Sequence, residues 1–131
     1  MTRPRISGIS PFFIVADVAA ALAFYREMLG FEVAFQEPPQ DPFFAIVSRD
    51  GAMIMVKSVG VEPLPNCERQ PAARWDAYLS VHDPDALAAE FASRGVTFSV
   101  PLQDKQGHRY RFAVARSAGS TPREQAGQVA R

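Results

Sequence analysis

The sequence predicts an α+β fold made of two paired βαβββ units that form a curved mixed sheet, the second unit having an incomplete or altered last strand. Three observations predict it. From Ile9 to Phe35, ISPFFIVADVAAALAFYREMLGFEVAF sets an apolar run, an acidic cap, a helical stripe, a glycine stop and a second apolar run in line. Asp50-Gly51 stands between two strand-like runs, and the opening order of strand, helix, glycine and strand returns after Trp75.

The elements follow in order. Ile6 to Val15 reads as a strand whose alternation places Ser10, Phe12 and Ile14 on one face and Pro11, Phe13 and Val15 on the other. Val18, Ala21, Leu22, Tyr25, Met28 and Leu29 then recur at steps of three and four, which gathers them on one side of a helix that packs on a sheet. Asp17 can cap its first free N–H groups, and Gly30 can take the left-handed conformation past its end. Phe31 to Phe35 is a second strand, and the prolines of EPPQDP, Glu37 to Pro42, impose a loop. Phe43 to Arg49 and Ala52 to Val59 flank Asp50-Gly51, a tight-turn signal in which both central residues are expected at positive φ. That turn sets Ser48 opposite Met53, Ile46 opposite Met55 and Phe44 opposite Lys57 on one face, with Phe43, Ala45, Val47, Ile54 and Val56 on the other. Both faces are largely apolar, so the face away from the helix must cover a ligand cavity or a second sheet.

Gly60 to Arg74, rich in proline, reads as a linker between a first unit at 6–59 and a second at 75–116, together one domain over 1–116. Trp75 to Val81 is the next strand. Asp83 is a cap with Pro84 at the first helical position, Leu87 and Phe91 are the buried stripe, Gly95 is the stop, and Val96 to Val100 is a strand. Gly30 and Gly95 lie 65 positions apart, an offset that also matches Leu22 with Leu87 and Phe31 with Val96, so the chain carries an internal repeat. After PLQDKQGH only Arg109 to Ala115 alternates like a strand. The remainder, 117–131, has little to bury and is expected to be a loose or weakly helical tail, with Thr121 and Glu124 as a capping box.

Composition narrows the function classes. A chain of 131 residues, 47% hydrophobic and 21% charged, suits one globular domain, and no apolar run reaches the ~18 residues that cross a bilayer. Residues 1–95 hold eight basic and twelve acidic groups and residues 96–131 hold six and two, but without a basic run or a nucleic-acid motif the basic end reads as a solvated segment. A lone cysteine, Cys67, and the lack of a signal sequence point to the cytoplasm; Cys67 beside Glu68 is an inert thiol. The glycines show no phosphate-loop spacing.

The doubled unit, with DVAAALAFYREMLGF at its first helix, the Asp50-Gly51 hairpin and DPDALAAEFASRGV at its second helix, resembles the vicinal oxygen chelate superfamily of glyoxalases, extradiol dioxygenases and bleomycin-resistance proteins. The resemblance covers roughly residues 6–104. It implies two units enclosing a cavity, often in a homodimer, and in metal-dependent members a set of ligands from the first and last strands of both units. Family members end with an acidic, glycine-containing turn and one more strand, which this sequence does not show after Gly107. Where the resemblance places metal ligands, this chain has Ser10, Met55 and Asp76.

A divalent metal needs about three His, Asp or Glu ligands converging, and Asp76 alone does not supply them; His82 and His108 read as surface residues. No metal or other cofactor is expected. The expected site is a small-molecule pocket with Phe12, Phe44, Met53, Met55, Trp75 and Tyr78 as apolar and aromatic walls and Ser10 and Asp76 as polar points, supplemented by Ser48 and Lys57. The ligand would be an antibiotic or metabolite of cationic or aromatic character, held through Asp76, in a homodimer without nucleic-acid or membrane partners. A metal-dependent lyase, isomerase or dioxygenase, and a divergent inactive copy, are the alternatives.

Overall fold

The computed structural model describes the backbone of residues 2–73, 75–105, 108–115 and 126–130, and the side chains within 2–73 and 75–99. The first unit comprises β1 (Phe12–Ile14), α1 (Val18–Ala23) continued by a π-helical turn (Phe24–Met28), β2 (Glu32–Glu37), β3 (Phe44–Arg49) and β4 (Ala52–Lys57). A short helix, α2 (Asn66–Arg69), lies in the expected linker. The second unit comprises β5 (Ala77–Ser80), α3 (Pro84–Ser93), β6 (Phe98–Lys105), β7 (His108–Ala115) and β8 (Ala126–Ala130).

The strands form two four-stranded mixed sheets of the same order, β1-β4-β3-β2 and β5-β8-β7-β6. β1 runs parallel to β4, and β5 runs parallel to β8, while the other neighbours are antiparallel. The hairpin register is the one the sequence predicts: Ser48 pairs with Met53, Ile46 with Met55 and Phe44 with Lys57. The turn itself differs, because Asp50 takes positive φ (51°) and Gly51 does not. Asparagine and aspartate tolerate the left-handed region, so one such residue suffices to reverse the chain here.

α1 begins where Asp17 accepts a hydrogen bond from the Ala20 N–H at 3.2 Å. A uniform helix would hide Tyr25 and leave Phe24 turned aside. Instead the helix widens by one residue, with the Leu29 N–H donating to the Phe24 carbonyl, and both rings become buried in an edge-to-face pair with centroids 5.4 Å apart. Met28, expected inside, is half-buried as a result. Val15, Val18, Ala21 and Leu22 pack with Ala45, Val47, Ile54 and Val56 from the inward face of the first sheet. Val47 and Val56 are fully covered, and each such side chain contributes about 1.5–3 kcal/mol through removal from water. Ala88 and Phe91 of α3 join the same core.

Two expectations need correction. The first strand begins at Phe12 rather than Ile6; Ile6 and Ile9 are 92% and 94% exposed, so no packing fixes the segment before it. The last strand of the second unit is present but altered: AGQVA, Ala126–Ala130, within the stretch expected to be a loose tail, pairs with β5 on one side and β7 on the other. Backbone pairing on both edges holds a stretch that has few large side chains to advertise it, because strand formation depends on context more than on residue type. Thr121 and Glu124, expected as a capping box, lie outside the described residues, as does the His108 side chain. Among the described residues no helix is long and apolar enough to cross a membrane.

Candidate functional site

β1 and β5 each stand at the edge of their sheet, and a cavity of about 620 Å³ opens between them. One wall is the stretch Ile9, Ser10, Pro11 and Phe13 leading through β1; the opposite wall is the unbroken run Asp76 to Val81 through β5. The floor is aromatic and aliphatic. Phe24 and Tyr25 reach it because the π-helical turn brings both inward, and Leu29, Phe31, Leu87 and Phe91 complete it. Tyr25 also meets Phe31 edge-to-face at 5.6 Å, so the floor is a packed aromatic surface. The hairpin turn Arg49 to Gly51, with Ala52, Met53 and Ile54 after it, forms the rim.

The polar groups of the cavity are few and mostly tied. The Asp76 Oδ1 accepts from the backbone N–H of Asn66 at 2.8 Å, and the Asn66 side chain donates to the Trp75 carbonyl at 3.2 Å, so Asp76 holds the start of α2 as well as facing the cavity. At the rim, Arg49 donates to the Leu29 carbonyl at 2.8 Å and grips Glu90 of α3 with two hydrogen bonds of 2.6 and 2.8 Å. Arg94 donates to the same Glu90 at 3.1 Å and to the Glu27 carbonyl at 3.2 Å. Two guanidinia therefore fasten the end of the first unit's helix to the second unit's helix. The hydrogen bond from Arg49 holds the Glu90 carboxyl below its usual range, and the same bond raises the Arg49 guanidinium. Gly30, at φ 71°, lies where a Cβ would come within 2.9 Å of the Arg94 Nη2 and 3.0 Å of the Arg49 Nη1. The positive φ favours glycine there, and a side chain would also have to push the two guanidinium ends aside.

The structure divides the residues that the sequence predicts for the pocket. Ser10, Met53, Asp76 and Tyr78 line the cavity. Phe12, Phe44 and Met55 lie on the open face of the first sheet, where Phe12 and Phe44 stack at 6.3 Å and Met55 pairs with Phe12 and Ile46. Trp75 precedes β5 beside Asp76, outside the lining. The aromatic floor and the Arg49–Glu90–Arg94 cluster were not singled out from sequence. Phe24 is hidden by the π-helical turn, and the cluster joins residues 41 positions apart that carry no motif.

The donors at the positions where the resemblance implies a metal do not suit one. Ser10 offers a hydroxyl, Met55 a thioether outside the cavity lining, and Asp76 a carboxylate already engaged with Asn66. Among the described residues no three His, Cys, Asp or Glu side chains gather, and His82 is exposed.

Comparison with known structures places this architecture. The chain is similar to TioX from Micromonospora sp. ML1, with 18% identity and a TM-score of 0.71 over 95% of this chain and 97% of that one. It is similar to the bleomycin-binding protein of bleomycin-producing Streptomyces verticillus, solved with copper(II)-bleomycin, with 26% identity and a TM-score of 0.66 over 99% and 98%. TnmS3, an antibiotic-binding protein from Streptomyces sp. CB03234, matches with 21% identity and a TM-score of 0.62 over 99% and 97%. No curated protein matches the chain. The profile of one family spans residues 8–127, and by that match and this fold the chain belongs to the Glyoxalase/Bleomycin resistance protein/Dioxygenase superfamily.

Proposed function

We propose that this protein binds a small, partly aromatic molecule, an antibiotic or a metabolite, in the cavity between β1 and β5, and does so without a metal ion. The observation that carries the reading is the cavity itself. Its volume of about 620 Å³ falls within the range of small-molecule sites, and it combines an aromatic floor with a few polar points, Ser10, Asp76 and the Arg49 rim. The donor set described above supports binding rather than metal-assisted catalysis. That a similar fold holds copper(II)-bleomycin in the Streptomyces verticillus protein supports an antibiotic as ligand class.

The reading includes a homodimer in the cytoplasm. Phe12, Ile14 and Phe35 are 40% exposed or more on the outer side of the first sheet, an apolar face of the kind that a second copy covers. Purified protein is screened by thermal shift against bleomycin, with and without copper(II), and against cationic aromatic compounds. A ligand at a hundred times its Kd stabilises the folded state by about 2.7 kcal/mol. A rise in Tm with quenching of Trp75, the one tryptophan, supports the reading. Failure of every compound to shift Tm contradicts it. Stoichiometric bound metal that is lost in Asp76→Ala overturns the metal-free part.

A further inference from the structure

The shape of the cavity narrows the chemistry of its ligand. One wall is an unbroken run of residues, Asp76 to Val81, and β5 within it is an edge strand: among the described residues Ala77–Ser80 pairs with β8 alone. A strand paired on one side presents a row of N–H and C=O groups on the other, spaced for another extended chain. Every residue of that strand also lines the cavity.

The side chains beside the row differ by face. Leu79 and Val81 lie against the apolar core, on the side of Phe24, Tyr25 and Phe91, whereas Tyr78 and Ser80 are exposed on the other side. A strand laid along β5 would send alternate side chains to these two surfaces. We propose that the ligand of this cavity carries an extended backbone of amide groups and lies along the open edge of β5 as an added strand, apolar substituents on the aromatic floor and polar ones outward. Main-chain hydrogen bonds supply the affinity and the alternation supplies the selectivity. The inference rests on the cavity being a ligand site, and adds to it the class of ligand: peptidic molecules of alternating polarity.

The test uses the full chain and three probes: a capped tetrapeptide alternating phenylalanine and threonine, the same peptide N-methylated at alternate amides in both registers, and a rigid aromatic cation without amides. Trp75 fluorescence reads binding, and amide hydrogen exchange reads the edge. The expected result is saturable binding of the plain peptide, weakening of roughly tenfold in the N-methylated form that loses the edge-facing donors, and new protection of amides within Ala77–Ser80. Equal binding of plain and N-methylated peptides, or binding without protection at β5, overturns the proposal. Binding of the aromatic cation alone also overturns it while leaving the small-molecule site standing; binding of none of the three, with no response in the antibiotic screen, removes the site as well. If Ala77–Ser80 is already protected in the free protein, the edge is occupied without a ligand and the proposal fails.

Discussion

Replacing Glu90 by alanine removes the carboxylate shared by two guanidinia across the two units. The lost contacts are two hydrogen bonds from Arg49, at 2.6 and 2.8 Å, and one from Arg94 at 3.1 Å. Hydrogen bonds to charged groups contribute about 1.5–3 kcal/mol when shielded, and exposed ion pairs about 0.2–1 kcal/mol. The Arg49 and Glu90 side chains are 26% and 35% exposed, between those limits. The expected cost is therefore about 1–2 kcal/mol, or a fall in Tm of roughly 3–8 °C for a chain of this size. Urea unfolding of the wild type, Glu90→Ala, Arg49→Met and the double variant closes a cycle. A coupling of about 1 kcal/mol is expected, since Arg49→Met also strands the Leu29 carbonyl and only the cycle separates that loss from the pair. A Glu90→Ala protein within about 0.3 kcal/mol of wild type, or strict additivity, would refute the claim that this cluster joins the two units.

Three further outcomes follow from the same structure. Because Arg49 holds the Glu90 carboxyl below its ordinary pKa of 4.5, the stability it adds is present above that value and is lost as pH falls through the lower folded value; Glu90→Gln flattens this acid limb of the stability profile in urea titrations. Gly30→Ala and Gly95→Ala both place a side chain at positive φ, costing about 1–2 kcal/mol each, but only Gly30→Ala also displaces Arg49 and Arg94, so it is the more damaging in thermal melts. Phe91→Ala, at 3% exposure, costs about 3–5 kcal/mol, whereas Phe12→Ala, at 54% exposure, leaves monomer stability within about 1 kcal/mol; equal losses would mean that the core is misassigned.

The parts of the fold written in local chemistry were legible in the sequence. Asp17 and Asp83 cap their helices, Gly30 and Gly95 end them at positive φ, and the Asp50-Gly51 pair sets the hairpin register. Features decided by tertiary context were not. A uniform 3.6-residue period cannot announce the π-helical turn that brings Phe24 inside beside Tyr25. β8 pairs with a neighbour on each side while its residues are mostly small, so composition read it as tail. The site divided along the same line. Ser10, Asp76 and Tyr78 follow from strand order at the entrance to each unit and do line one cavity. Phe12, Phe44 and Met55 were grouped with them by apolar character; by alternation they share the sheet face of Ser10 and Met53, but they lie farther along it, outside the cavity lining.

The methionines offer the most direct test that the gap between β1 and β5 is the ligand site. Met53, at the hairpin end of β4, lines the cavity, Met55 lies two residues farther along the same face outside the lining, and Met28 lies in the π-helical turn, also outside it. With methyl-labelled methionine, titration with metal-free bleomycin or the best compound of the thermal screen is followed by NMR. The account predicts a saturable shift of the Met53 methyl while Met55 and Met28 hold their positions. A shift confined to Met55 would move binding along that face, away from the cavity, and contradict it.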